Sequence, residues 1–245
     1  MNTLDVLRQG IAQGLHPGAQ IYVSRAGQVI CDDAVGESRP GVTMSTDTIN
    51  LWMSCVKPVA AVAVGQLKDR ELLNWDDPVA RHVREFARHG KDAITIRHLL
   101  THTAGIRALP AFSPDAPWDT IIDAICDLRI EPRWIPGEKA GYHHSSSWFM
   151  LAEIVRRLDG RTYDRYVREQ IFLPLGMNDS WVGMPPDAYR KYGQRIGGMF
   201  DTSRKPVDFD GGIPTEAQCA AVRPAGNGRG PIRELATLYE SLLRA

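Results

Sequence analysis

The stretch Met53-Ser54-Cys55-Val56-Lys57-Pro58 places a hydroxyl and an amine three residues apart at the head of an apolar run. After Ser54 and up to Leu67 the chain is rich in Ala and Val, with Lys57 and Gln66 as its polar members, the pattern of a helix surrounded by other structure. Proline is tolerated only in a first helical turn, where its missing N–H has no partner to lose, so Pro58 puts Ser54 at or near the helix N-terminus. A serine alcohol is a weak nucleophile and needs a neighbouring base. Positions i and i+3 share a helix face, which lets Lys57 reach the Ser54 hydroxyl, and burial disfavours the charged form of a lysine, as a base requires. Ser-x-x-Lys alone equally describes a serine cap followed by a solvated lysine. The neighbours Val56, Ala60 and Ala61 argue against a solvated face at Lys57.

Upstream, apolar spacing at Leu4, Leu7 and Ile11 predicts a short helix over residues 3 to 14, closed by Gly14 and the His16-Pro17-Gly18 turn. Residues 19 to 24 and 28 to 32 flank Ala26-Gly27 and read as an antiparallel hairpin, and Ile49 to Met53 as an extended run delivering the chain to Ser54. Downstream, helices are expected from Ile94 to Leu100, Trp118 to Leu128, Trp148 to Leu158, Tyr163 to Ile171 and Ile232 to Leu243. Residues 70 to 180 thus form the mainly helical part of a single domain spanning 1 to 245.

Acidic and basic residues balance at 29 each in 245 residues, so no net field favours nucleic acid or a membrane surface. Cys31, Cys55, Cys126 and Cys219 are far apart and show no metal-ligand or disulfide spacing. Met1 to Leu15 lacks the basic, apolar and small-residue succession of a leader, and no run of about 18 apolar residues occurs, so a cytoplasmic protein is expected.

Four blocks, taken together, resemble a known family. Ser54-Cys-Val-Lys57-Pro58 is similar to the nucleophile helix of the serine β-lactamase-like and penicillin-binding-protein-like hydrolases, in the branch with class C β-lactamases, esterases and transacylases. Leu99 to Ile106, Pro136-Gly137-Glu138 with Tyr142, and Phe172 to Met177 resemble further blocks of that branch, in matching order. The resemblance implies an α/β (α+β type) fold with an antiparallel sheet flanked by helices, and an acyl-enzyme chemistry that requires no metal or organic cofactor. It assigns Ser54 as nucleophile, Lys57 as its base, and Tyr142 as second base or proton relay to the leaving group. A tyrosine ionises near pH 10, so that last role requires cationic neighbours such as Lys57.

Two departures stand out. His143 and His144 follow Tyr142 where the family's Tyr-x-Asn motif ends in Asn, which leans towards ester or acyl-transfer chemistry on a small ester, thioester or amide, and away from penicillin-type amides. Either histidine is a candidate for orienting substrate, or fills the loop as a structural polar residue. The family's Lys-Thr-Gly or His-x-Gly triad, whose strand supplies an oxyanion N–H, has no counterpart here. The C-terminal strands are therefore expected to be missing, leaving residues 19 to 32 a marginal ribbon completed by another chain, a second copy, further residues or a local replacement. Gly226-Asn227-Gly228 is a turn able to approach the site, though a poor substitute. Within 107 to 134, Phe112, Trp118 and Trp134 are candidates for an apolar pocket wall or for ordinary core. The rival to an enzyme is a catalytically silent binding or scaffold protein on the same fold.

Overall fold

The computed structural model describes residues 2–203 and 212–244. In chain order its helices are α1 (Thr3–Ala12), α2 (Lys57–Asp69), α3 (Val79–His82), α4 (Ile96–Leu100), α5 (Trp118–Cys126), α6 (Ser146–Asp159), α7 (Tyr163–Val167), α8 (Pro186–Tyr192), α9 (Glu216–Ala220) and α10 (Ile232–Leu242). The strands are β1 (Gly18–Arg25), β2 (Gln28–Arg39), β3 (Val42–Thr43), β4 (Asn50–Met53), β5 (Trp181–Val182) and β6 (Gly228–Gly230). Two compact units divide them: Met1–Trp52 with Phe172–Ala220 and Gly228–Ala245, and Met53–Ile171 with Ala221–Asn227.

The first unit holds both sheets. Ala26 and Gly27, at φ 51° and 77°, turn β1 into β2 with the positive φ pair that a two-residue hairpin favours, and Arg25 faces Gln28 across it. β2 runs seven residues past the expected end at Asp32, and its far end pairs with β3, giving the order β1-β2-β3. Asp32-Asp33 and Gly36 break the apolar alternation on which a strand reading depends, and the continuous backbone ladder carries the strand through them. The expectation of a marginal two-stranded ribbon is corrected: a third strand extends it, and α1 and α10 pack on it, α10 burying Leu235 and Leu238. α1 itself opens on a capping box in which Asn2 and Asp5 exchange side-chain to backbone hydrogen bonds.

A second sheet, in the order β4-β6-β5, has no forerunner in the sequence reading apart from β4. The indole N–H of Trp52 on β4 donates to the Gly230 carbonyl on β6 at 2.9 Å. Only glycine fits at 230, because a Cβ there would lie 2.6 Å from the Trp52 ring. Ile49, Met184, Tyr192, Ile196 and Cys219 form a buried cluster in this unit.

The second unit is helical and built around α6, whose residues Ser146 to Val155 are buried without interruption. α2, α3, α4, α5 and α7 all pack against it. On α2, Lys57, Ala60, Val64 and Leu67 recur at helical spacing and are buried, joined by Val59 and Ala63. The helical stretch 70 to 180 of the sequence reading falls largely in this unit, which begins earlier, at Met53, and takes in the distant segment Ala221–Asn227. Among the described residues no helix is long and apolar enough to cross a membrane.

Candidate active site

The second unit opens on a strained residue. Met53 has φ 52° and ψ −136°, a conformation that L side chains rarely adopt, and it ends β4 by swinging the chain into a 3₁₀ turn over Ser54–Val56. α2 begins only at Lys57, three residues after the expected start at Ser54. The reason is Pro58. An α-helical bond to the Ser54 carbonyl would come from the N–H of residue 58, which proline lacks, and the N–H of Lys57 bonds that carbonyl instead. A 3₁₀ turn has three residues per turn, so positions 54 and 57 stack one above the other.

That stacking brings Lys57 Nζ to 2.9 Å from Ser54 Oγ. The ammonium also donates to the Ala225 carbonyl at 2.8 Å, and lies 5.0 Å from the Tyr142 ring centroid and 5.8 Å from that of Trp148. Lys57 is 5% exposed, as the apolar neighbours predict. Tyr142 comes from 88 residues away in sequence and its hydroxyl donates to Ser54 Oγ at 2.7 Å. Burial pushes the Tyr142 pKa up, but hydrogen bonds with Lys57 and Ser54 and the Lys57 charge outweigh it, and the net shift is downward. The structure thus brings Ser54, Lys57 and Tyr142 into one cluster centred on a single oxygen.

The two histidines after Tyr142 part company. His143 is fully buried, accepts from the Ile106 N–H at Nε2 (3.1 Å) and donates from Nδ1 to the Gly141 carbonyl (2.7 Å). No ring nitrogen remains for a substrate, which corrects its placement among the substrate-binding candidates. Burial first, with the hydrogen bond to Gly141 opposing it, lowers its pKa to about 4 and keeps the ring neutral. His144 is exposed and its ring meets that of Tyr142 edge-on at 5.8 Å. Trp134 is also corrected from pocket wall to framework. Its indole N–H donates to the Thr103 carbonyl at 2.9 Å, and its ring lies where a Cβ at Gly105 would come to 2.4 Å, so Gly105 is required by contact and by its φ of 75°. Trp118 likewise packs, donating to buried Glu153 at 2.8 Å. Phe112 and His144 do line a common cavity of about 310 Å³.

Two participants carry no role in the sequence reading. His102, at φ 60°, accepts from the His143 N–H at Nδ1 (3.0 Å) and lays its ring against Tyr142 at 4.9 Å and Trp148 at 5.5 Å. Burial and then the Lys57 charge push its pKa down, which disfavours a second positive charge beside Tyr142. It stands in the Leu99 to Ile106 block, but nothing in the residue types shows its left-handed backbone. Ala225 acts through its carbonyl, and its only signal in the sequence is the adjoining Gly226-Asn227-Gly228 turn. That segment is held by Asn227 Nδ2 donating to the Ala221 carbonyl at 2.7 Å, and Asn227 bridges to Met53. Among the described residues no cluster of three or more His, Cys, Asp or Glu could hold a metal ion.

The Beta-lactamase family model matches residues 5–245. Similar curated proteins include the esterase/beta-lactamase LipL of Mycobacterium tuberculosis, 25% identical over 92% of this chain and 58% of that protein. The esterase EstB of Burkholderia gladioli is 30% identical over 75% of this chain and 52% of its own length. Penicillin-binding protein 4* of Bacillus subtilis is 30% identical over 60% of this chain and 32% of its own. The chain therefore spans about half the length, or less, of curated relatives such as these. Among solved structures, a penicillin-binding protein homologue from Caulobacter crescentus superposes with a TM-score of 0.78 at 29% identity, covering 98% of this chain and 68% of that one. A family VIII carboxylesterase does so with a TM-score of 0.81 at 26% identity and the same coverages, 98% and 68%.

Proposed function

The chain belongs to the beta-lactamase family, and from that premise we propose that it is a serine hydrolase or acyltransferase forming an acyl-enzyme on Ser54 with a small ester, thioester or amide. The observation that carries this reading is the convergence of Lys57 Nζ and Tyr142 Oη on Ser54 Oγ, at 2.9 and 2.7 Å. Both lie within the reach a general base needs. Lys57 and Tyr142 act as a coupled pair: amine with phenol, or ammonium with phenolate, is one protonation level, and either form accepts the single proton that Ser54 loses. Ser54 Oγ then attacks the carbonyl carbon, forming a C–O bond while the carbonyl electrons move to oxygen. Collapse of that intermediate breaks the bond to the leaving group, which takes the proton back through Tyr142. Water or another acceptor repeats the cycle in reverse. Esterase or transacylase chemistry is favoured over β-lactam hydrolysis by His144 in the place of the motif's Asn.

In this reading the Ser54 N–H at the mouth of the 3₁₀ turn is one oxyanion donor. The other donor comes from another chain, a second copy, further residues or a local replacement. The test is intact mass after treatment with a fluorophosphonate or a p-nitrophenyl ester. A single adduct lost in Ser54→Ala is expected; an unlabelled wild type, under conditions that label a control serine hydrolase, would favour the silent scaffold.

A further inference from the structure

The cavity that Phe112 and His144 share lies wholly within the second unit and has an unusual charge balance. Leu109, Pro110, Phe112 and Phe149 make its apolar wall, and no Asp or Glu is among its lining residues. Two arginines do line it. Arg107 is neutralised by a two-pronged ion pair to Glu131, with Nε at 2.7 Å from the carboxylate. Arg223 is different: its Nη2 donates to the Phe112 and Ser113 carbonyls, both at 2.8 Å, and among the described residues no carboxylate stands within ion-pair distance of it. Those two bonds fix the plane of the guanidinium and leave Nε and Nη1 to donate elsewhere. A half-buried, oriented and uncompensated cation beside an apolar wall is suited to an apolar molecule that ends in a carboxylate, since a charge-assisted pair there is about twice as strong as a neutral hydrogen bond.

We propose that this cavity receives an apolar, carboxylate-bearing part of the substrate, with Arg223 as its anchor. The inference rests on the reading of Ser54 as nucleophile, because His144 joins the cavity lining to the Tyr142 ring. The compound class is thus an ester, thioester or amide carrying a free carboxylate at the end of an alkyl or aryl arm.

The probes are 4-phenylbutyrate and its uncharged isostere 4-phenylbutyramide, titrated calorimetrically into the wild-type protein at low salt. The acid is expected to bind about tenfold more tightly than the amide, with the margin shrinking as salt is raised. Arg223→Gln, which keeps a donor for the loop carbonyls, is expected to bring the two within about twofold while leaving the circular dichroism spectrum unchanged. Saturating acid is also expected to slow fluorophosphonate labelling of Ser54. Equal binding of acid and amide by wild type, a preference surviving in folded Arg223→Gln, or labelling indifferent to bound acid would each overturn the proposal. The acid and amide comparison in wild type needs no variant to fold. A failure of Ser54 to label at all counts against the nucleophile reading alone, since the calorimetric comparison does not depend on it.

Discussion

Lys57 and Lys91 are both buried lysines of the second unit, 5% and 0% exposed, and they do opposite things. Lys91 directs its three ammonium protons at the carbonyls of Arg88 (2.8 Å), Cys126 (2.7 Å) and Leu128 (2.5 Å). Three donors meet three acceptors, and the acceptors include the last carbonyl of α5, that of Cys126, which has no helical partner of its own. Burial pushes the Lys91 pKa down, yet no group it touches can give or take a proton, so it is a structural clip. Lys57 has one carbonyl, Ala225, and faces two hydroxyls, those of Ser54 and Tyr142. A hydroxyl can lose its proton where a carbonyl cannot. Burial of a lysine is thus no sign of a site; the chemistry of what it faces is.

Exchanging each lysine for an uncharged residue of similar length separates the two roles. Lys57→Met is expected to slow acylation by about 10³-fold or more, read by quenched-flow mass spectrometry, while the fold persists. Lys91→Met is expected to leave acylation within about threefold of wild type but to lower unfolding free energy by about 2–4 kcal/mol in urea, because buried carbonyls lose their donors. A comparable acylation loss in both variants would break the contrast.

Tyr142→Phe comes next in size. The ring, with its contacts to His102 and Lys57, is kept and only the hydroxyl at 2.7 Å from Ser54 is removed, so a loss of about 10²-fold in acylation is expected with little change in stability. Its pH dependence sharpens the assignment. The pair must be in its proton-accepting form, so the wild-type rate rises with pH, along a limb drawn below the usual tyrosine range by Lys57 and Ser54. In Lys57→Met the limb of whatever activity remains should move up towards about pH 10. An unmoved limb would detach Tyr142 from the proton transfer.

These tests bear on residues that are legible in the sequence, and the reason is local. Ser54, Lys57 and Pro58 are neighbours whose spacing alone constrains their geometry, and Tyr142 lies in a block with its own turn residues. The participants that the sequence hides are groups without a signature in residue type. The Ala225 carbonyl belongs to every residue type, and the left-handed φ of His102 is set by the chain around it. Strand propensity ends at Asp32, whereas the pairing of β2 with β1 and β3 does not. Trp134 shows the converse error: an aromatic near a site reads as pocket wall until the glycines at 105 and 141 show that its ring fills the framework.

The histidines repeat the contrast between the lysines on a smaller scale. His143 is satisfied at both nitrogens and held neutral, with a pKa of about 4 against the usual 6.5. For a depressed group the stability contribution is complete above the unfolded value and is lost as pH falls. Between about pH 6.5 and about pH 4 the unfolded chain takes up a proton that the folded ring refuses, which should withdraw about 3 kcal/mol. His143→Gln, which can still accept from Ile106 and donate to Gly141, should flatten that part of the pH profile relative to wild type in urea titrations. An equal slope in both proteins would show that other groups carry the acid sensitivity.

The smallest expected effect concerns the backbone that leads into each lysine. Lys91 follows His89 at φ 58° and ψ 30°, a left-handed conformation that histidine tolerates. Ser54 follows Met53 at φ 52° and ψ −136°, close to a region that is essentially glycine's own, at a cost of about 1–3 kcal/mol. Met53 is 52% exposed, so replacing its side chain forfeits little burial. Met53→Gly should therefore relieve strain and, after the added freedom of glycine in the unfolded chain is offset, raise stability by about 1 kcal/mol. If the strained residue is what holds Ser54 against Lys57, the same change should slow acylation by about threefold, since a looser 3₁₀ turn populates fewer aligned conformers. A variant both more stable and slower would place the strain in the service of the nucleophile. One that is less stable than wild type would show that Met53 is held there by packing worth more than the strain it relieves.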